Sequence, residues 1–79
     1  MRRAPRPTLV LTFDTTAAAM ETELICGVEG IRGRLIPAPR QATSDCGIAW
    51  ASDPADRPRL EALAAQRRIE PAAILELTL

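Results

Sequence analysis

The sequence predicts an α+β fold of the ferredoxin-like, split βαβ type. Three observations predict it. Alternating apolar and polar residues mark four strands, two segments show helical spacing, and the elements follow the order β-α-β-β-α-β. Two right-handed crossovers would then build one four-stranded antiparallel sheet with both helices on one face. In that arrangement strands 1 and 3 are central, and strands 2 and 4 are edges.

The first β-α unit is TLVLTFDTTAAAMETELICGVEG, residues 8–30. Its first six residues alternate as a strand does, with Leu9, Leu11 and Phe13 on one face. The polar residues that follow can cap a helix, and a glycine at position 30 or 33 would end it. The helix carries residues at helical spacing that we expect to form a core stripe: Ala17, Met20, Leu24 and Val28.

The second half of the chain repeats this order. Residues 34–37 form a short strand that two prolines stop, as suits an edge strand, and residues 38–45 form a polar loop. Residues 47–52 form strand 3, on which Trp50 faces either the helices or the open side of the sheet. SDPADRP then precedes helix 2, and AILELTL alternates as strand 4. One face of helix 2 is marked by Leu60, Leu63, Ala64 and Arg67.

A chain of 79 residues is one domain near the lower size limit for a self-sufficient core. Residues 8–79 are expected to form this domain, and residues 1–7 a short arm. The arm holds Arg2, Arg3 and Arg6 with two prolines, which is typical of a disordered terminus. With only two aromatic residues the core is small, so pairing into a homodimer is a reasonable expectation.

Charge and hydropathy exclude several classes of partner. No apolar run approaches the roughly 18 residues of a membrane span, and no signal-peptide segment is present, so we expect a cytoplasmic protein without a membrane partner. Outside the arm there is no basic stripe and almost no aromatic stacking surface, so nucleic acid is not expected. In the cytoplasm the two cysteines should be free thiols.

The residues that are missing narrow the chemistry further. The chain has no His, no Lys and no Tyr, which excludes a histidine-dependent triad, a Schiff-base lysine, a P-loop lysine and histidine metal sites. Two cysteines cannot build a four-thiolate zinc site within one chain. We therefore expect no metal, no cofactor and no enzymatic activity. The groups left for chemistry are a thiol, carboxylates, hydroxyls and arginines.

Cys46 is the candidate functional thiol. The predicted topology places it at the start of strand 3, beside the amino end of helix 1. A helix amino end and Arg40 would both favour the thiolate, and the Gly47 backbone could approach it closely, whereas the charge of Asp45 would disfavour it. Cys26 lies late in helix 1, far from Cys46, and is expected to be a packing residue.

The segment LTFDTTAAAMETELICGVEGIRGRLIPAPRQATSDCGIAW resembles the small family of selenium/sulfur carrier protein-like domains. The resemblance rests on Phe13 before a hydroxyl-rich helix start, on Ile36-Pro37-Ala38-Pro39-Arg40, and on Cys46-Gly47. It covers residues 8–79. A Thr-Thr pair replaces the more usual Ser-Thr, and Asp45 is a further departure.

The resemblance implies a carrier that is not an enzyme. Cys46 would accept sulfur or selenium as a persulfide or perselenide and pass it on. The donor would be a cysteine desulfurase or a selenium-donating enzyme, and the recipient an acceptor protein. Arg40, Thr15 and Thr16 would stabilise the loaded or unloaded sulfur, and Gly47 would allow close backbone approach.

A second hypothesis stays open at this point. The chain could be a non-catalytic interaction or regulatory module that dimerises or docks through the open face of its sheet. In that case Cys46 could be replaced without loss of function, whereas Trp50 or the edge of the sheet could not.

Overall fold

The computed structural model describes residues 4–42 and 44–79, and it has the predicted α+β architecture. The elements follow the expected order, with a short 3₁₀ turn at Pro54–Asp56 before the second helix. Their bounds are β1 Pro7–Thr12, α1 Thr16–Glu29, β2 Gly33–Pro37, β3 Ile48–Ser52, α2 Arg57–Ala65 and β4 Ala73–Thr78.

The four strands form one antiparallel sheet in the order β2-β3-β1-β4. The prediction that β1 and β3 are central and that β2 and β4 are edges is therefore confirmed. Leu11 lies opposite Trp50 on β3 and opposite Ile74 on β4, and Leu35 lies opposite Trp50 from the other side. Since these facing residues have the same orientation, they supply one continuous apolar surface to the helices.

The main core lies between this surface and the two helices. Trp50 is only 3% exposed and belongs to the core, so of its two expected orientations the structure has the helix-facing one. Its indole Nε1–H donates to Ser52 Oγ at 2.8 Å, which satisfies the one polar atom of the buried ring. The other large members of this core are Leu9, Leu11, Phe13, Leu60, Leu63, Ile31 and Ile69.

The predicted core face of α1 is wrong. Met20, Leu24 and Val28 are 58%, 67% and 70% exposed, and they form an apolar row on the solvent side of the helix, here called the α1 stripe. Ala17 is exposed as well. The buried residues of α1 are instead the small side chains Ala19, Thr22 and Cys26.

The limited space between α1 and the sheet explains why the helix buries a different face from the predicted one. The sheet already presents Phe13, Trp50 and two leucines to the helices, so little space remains beneath α1 and only small side chains fit there. Thr22 can be buried because its hydroxyl donates to the carbonyl oxygen of Ala18 at 2.9 Å. Spacing showed correctly that the α1 stripe occupies one face, but it could not show which face meets the sheet.

The ends of the helices follow local signals. The Thr15 side chain caps α1 by accepting from the Ala18 N–H at 3.1 Å, and Gly30 ends the helix in the left-handed conformation with φ of 73°. Helix α2 ends at Ala65, so Arg67, which was expected on its face, lies beyond it with φ of 59°. Arg68 then pairs with Glu29 at 2.9 Å and connects the segment after α2 to the end of α1.

The open face of the sheet is partly covered by the β2–β3 loop. Ala42 is buried against Val10 and Ala49, and Ala38 packs beside them. Partly buried residues of the edge strands complete this second, smaller cluster: Ile36, Leu75 and Leu77. The covered half is the end of the sheet that also carries Cys46, since Pro37 pairs with Ile48 there.

The amino-terminal segment joins the opposite end of the sheet. Residues 1–3 of the predicted arm lie outside the described residues. The Arg6 backbone exchanges two hydrogen bonds with Leu79, at 2.9 and 3.1 Å, and Pro7 begins β1. In the described part of the chain, neither helix is long and apolar enough to cross a bilayer.

Candidate functional site

Cys46 lies in the turn that leads into β3 and is half-buried. One side of its side chain packs against the main core. Its Sγ lies 3.4 Å from the carbonyl oxygen of Ile48, to which the thiol donates, and 3.5 Å from Ser44 Oγ. The thiol thus has two polar neighbours, and the residue as a whole stays partly exposed to solvent.

Ser44 is the residue that sequence reasoning missed. Its hydroxyl reaches the carbonyl oxygen of Phe13 at 3.2 Å and that of Ile48 at 3.0 Å, as well as Cys46 Sγ. It therefore fastens the loop that carries Cys46 to the end of β1, just before α1 begins. A hydroxyl residue two positions before the cysteine is the signal that could have identified it.

Glycine at position 47 is explained by backbone conformation. Gly47 has φ of 76°, which residues with a Cβ rarely adopt, although a Cβ at this position would meet no neighbouring atom. Its N–H donates to the Ser44 carbonyl at 3.2 Å, and its own carbonyl accepts from the Ala38 N–H at 3.0 Å. Gly47 thus closes the cysteine turn and connects it to the end of the Ile-Pro-Ala-Pro-Arg segment.

The other residues expected near the thiol have side chains that cap the helix or are exposed. Thr15 uses its hydroxyl to cap α1, and Thr16 is exposed at the first position of the helix. Arg40 is exposed in the loop, and among residues 4–42 and 44–79 its guanidinium makes no hydrogen bond or ion pair. The structure thus brings Cys46, Gly47 and the end of β1 together, with Ser44 as the connecting side chain.

Cys26 has a contrasting environment. It is fully buried in the main core, as the sequence predicted. The pKa of the Cys26 thiol is raised from 9.0 to about 11, chiefly by burial and secondly by the negative charge of Asp56, while the positive charge of Arg59 opposes both. Cys26 is therefore a protonated packing residue at neutral pH, and the two thiols of the chain differ sharply in accessibility.

In the part of the chain that the structure describes, Cys46 does not belong to a metal centre. Among the described residues, no group of three or more cysteines and carboxylates is arranged to hold a metal ion. A cleft with a volume of about 610 Å³ lies at the opposite end of the sheet, where β1 and β2 begin.

Fold and site together define a small α+β domain that presents one accessible thiol in a closed turn. The chain belongs to the family described as "Putative Se/S carrier protein-like", whose model matches residues 8–76. This match includes both helices, β2 and β3 in full, and most of β1 and β4. A search of curated proteins gave no match, and neither did a search of solved structures.

Proposed function

We propose that this protein carries sulfur or selenium on Cys46, as a persulfide or perselenide, from a donor enzyme to an acceptor protein. The observation that carries the proposal is the contrast between the two thiols. Cys46 is accessible and is held by Ser44 and the Ile48 carbonyl, whereas Cys26 is sealed in the core. Membership of the carrier-like family supports the same role.

The transfer step balances without a cofactor. The Cys46 thiolate attacks the terminal sulfur of a persulfide on the donor enzyme, and a bond forms between that sulfur and Cys46 Sγ. The sulfur–sulfur bond of the donor breaks, and the donor cysteine leaves as a thiolate. One terminal sulfur atom has moved, one thiolate has replaced another, and no external oxidant or reductant is consumed. The same step delivers selenium when the terminal atom is selenium.

The surroundings of Cys46 match the needs of such a step. A carrier must hold its sulfur atom at the surface, where a donor and an acceptor can each reach it in turn. Ser44 Oγ, 3.5 Å from Sγ, is a hydroxyl that can donate to a sulfur anion. Arg40, Thr15 and Thr16 lie in neighbouring segments, and we assign them the weaker role of making this corner attractive to an anion. The role belongs in the cytoplasm, where thiols stay reduced.

Intact mass after incubation with a cysteine desulfurase and cysteine tests the proposal. The wild-type chain should gain the mass of one sulfur atom, and a reducing thiol should remove it. Cys26→Ser should gain the same mass, because Cys26 is not accessible. Cys46→Ser should gain nothing. Loading that persists in Cys46→Ser, or that is absent from the wild-type chain, would contradict the proposal.

A second arm of the experiment distinguishes carriage from a dead-end modification. The loaded chain, freed of desulfurase, is mixed with a small thiol of low molecular mass as an artificial acceptor. A carrier should return to its unloaded mass while the acceptor gains the sulfur. An adduct on Cys46 that no thiol can remove would show that the residue is merely reactive.

A further inference from the structure

The uncovered half of the open sheet face carries a basic cleft. It lies where β1 and β2 begin and β3 ends, so about 17 Å of strand separates it from the Cys46 end. The cleft has a volume of about 610 Å³, within the range of small-molecule sites. Its polar lining consists of Arg6, Thr8, Arg32, Arg34, Ser52 and Asp53.

Two of the arginines come from one rigid segment, Arg32-Gly33-Arg34. Trp50 Nε1–H donates to Ser52 Oγ, and the Ser52 hydroxyl in turn donates to the carbonyl oxygen of Arg32 at 2.8 Å. Gly33 lies so close to β3 that a Cβ there would approach the Ala51 carbonyl oxygen and the Trp50 ring to 2.5 Å. A buried hydrogen-bond chain and close backbone packing therefore fix the backbone that carries both guanidinium groups.

The third arginine is anchored on the neighbouring side of the cleft. The Arg6 backbone exchanges two hydrogen bonds with Leu79, and its carbonyl oxygen also accepts from the Thr8 hydroxyl at 3.0 Å. Ala51 on β3 lies between Arg34 on β2 and strand β1. Its small side chain takes up little of the cleft that it lines. Adjacent strands lie about 4.8 Å apart, so arginines reaching across Ala51 from both sides can contact one bound group.

Charge in the cleft is strongly unbalanced. The three arginines face the single carboxylate of Asp53, whose Oδ1 already accepts from the Ala55 N–H at 2.8 Å. Among residues 4–42 and 44–79, the two ion pairs involve Arg57 and Arg68, so no carboxylate pairs with any arginine of the cleft. Guanidinium groups gathered without counter-charges repel one another unless an anion lies between them.

We infer that Arg6, Arg32 and Arg34 form a binding site for a small ligand that carries a phosphate or diphosphate group. Guanidinium groups match the oxygens of phosphate with paired N–H donors. Three of them, arriving from the beginnings of β1 and β2, suit a tetrahedral group with several terminal oxygens better than a planar carboxylate. No aromatic side chain lines the cleft, so it offers no stacking surface for nucleic-acid bases.

The site is independent of the thiol chemistry at Cys46. It lies at the other end of the sheet, and none of its residues contacts the cysteine turn. Cys46→Ser should therefore bind the phosphate ligand as the wild-type chain does, and loss of the carrier role would leave this inference untouched.

Titration of the isotope-labelled full chain with sodium pyrophosphate, at constant ionic strength, tests the inference. The amide signals of Gly33 and Ala51 should shift saturably. Arg34→Gln should weaken binding at least tenfold, and Arg34→Lys, which keeps the charge but loses the paired donors, should give an intermediate loss. Arg6→Gln provides a second variant on the other side of the cleft, just before β1. Arg67→Gln, which removes the same charge from an exposed residue outside the cleft and outside the Cys46 site, should bind as the wild-type chain does.

Each alternative result overturns the inference. Shifts that do not saturate, or that become equally small in Arg67→Gln, would mean that pyrophosphate is attracted only by overall positive charge. Saturable binding of a poly-glutamate peptide or of single-stranded RNA, with none of pyrophosphate, would mean that the arginines recognise a macromolecule and not a small phosphate ligand.

Discussion

The Ser44 hydroxyl contacts the Cys46 sulfur at the surface of the molecule. Ser44 Oγ lies 3.5 Å from Cys46 Sγ, and the same oxygen reaches the Phe13 and Ile48 carbonyls. While Cys46 is a thiol, its hydrogen points to Ile48, and the serine hydrogen serves a carbonyl. Once the sulfur loses its proton it can only accept, and Ser44 can turn its hydrogen toward it. The pair can therefore serve both states of the sulfur.

Removal of the Ser44 hydroxyl should slow the chemistry of Cys46. A hydrogen bond to a charged group contributes about 1.5–3 kcal/mol when buried, and this one is partly exposed, so we expect roughly a tenfold lower alkylation rate in Ser44→Ala at neutral pH. Ser44→Thr, which keeps a hydroxyl, should react faster than Ser44→Ala. The rate is measured with iodoacetamide on Cys26→Ser backgrounds. An unchanged rate in Ser44→Ala would show that the contact plays no part.

The two cysteines should differ in alkylation in the native protein. Cys46 should be modified at neutral pH, because its sulfur is accessible. Cys26 should stay unmodified until the chain unfolds, because it is fully buried and its pKa is about 11. Peptide mapping after brief alkylation, with and without denaturant, measures both sites. Modification of native Cys26 at the rate of Cys46 would mean that α1 opens readily.

Cys26 should also make stability depend on pH in the alkaline range. The unfolded thiol loses its proton near pH 9, whereas the folded thiol keeps it until about pH 11. The unfolded state therefore binds fewer protons between these values, and unfolding becomes easier as pH rises. At about 1.4 kcal/mol per pKa unit, the free energy of unfolding should fall by up to about 3 kcal/mol, and the loss is complete above pH 11.

The composition of the chain makes this alkaline window unusually clear. There is no Lys and no Tyr, the residues that normally titrate there. Denaturant titrations at pH 8, 9, 10 and 11 on Cys46→Ser should show the decline, and the same series on a chain that also carries Cys26→Ala should be nearly flat. An equal slope in both chains would assign the effect to other groups.

Substitution in the α1 stripe should cost little stability. Leu24 is 67% exposed, so Leu24→Ala should change the free energy of unfolding by no more than about 0.5 kcal/mol. Leu60 is fully buried, and Leu60→Ala should cost about 2–5 kcal/mol through lost contacts and a cavity. Denaturant unfolding compares the two. Similar losses would mean that α1 is rotated, with its stripe in the core.

Replacement by alanine should change the stability of the fold in opposite directions at two glycines. Gly27 lies inside α1 and a Cβ there would meet no neighbour, so Gly27→Ala should stabilise the fold by about 0.5–1 kcal/mol. At Gly33 a Cβ would approach the Ala51 carbonyl to 2.5 Å and Ser52 Oγ to 2.7 Å, so Gly33→Ala should destabilise by more than 1 kcal/mol. Thermal melts measure both changes. A neutral Gly33→Ala would show that β2 can move away from β3.

Local sequence signals were sufficient for most of the fold. The strand at Thr8 and the helix end at Gly30 follow from alternation and from glycine's access to positive φ, which depend on near neighbours only. The order of elements then restricts the topology, because right-handed crossovers allow few arrangements. For the same reason Cys46 could be assigned to the end of the sheet where α1 begins.

Other features depended on packing between distant segments. Met20 and Cys26 lie on different sides of one helix, and only the volume left by Phe13 and Trp50 decides which side meets the sheet. The Ser44 hydroxyl found the Phe13 carbonyl across 31 residues of chain. Such a contact has no sequence periodicity, because it is formed only when the β2–β3 loop closes over the end of β1.

Element order, helix caps and the identity of the candidate thiol were thus contained in the chain itself, since each arises from residues close together in sequence. Only the tertiary structure showed which face of α1 is buried and that Ser44 contacts Cys46. It also showed that Arg6, Arg32 and Arg34 line one cleft. Each of these three features depends on how separate elements pack against one another. That packing exists only after the sheet has formed.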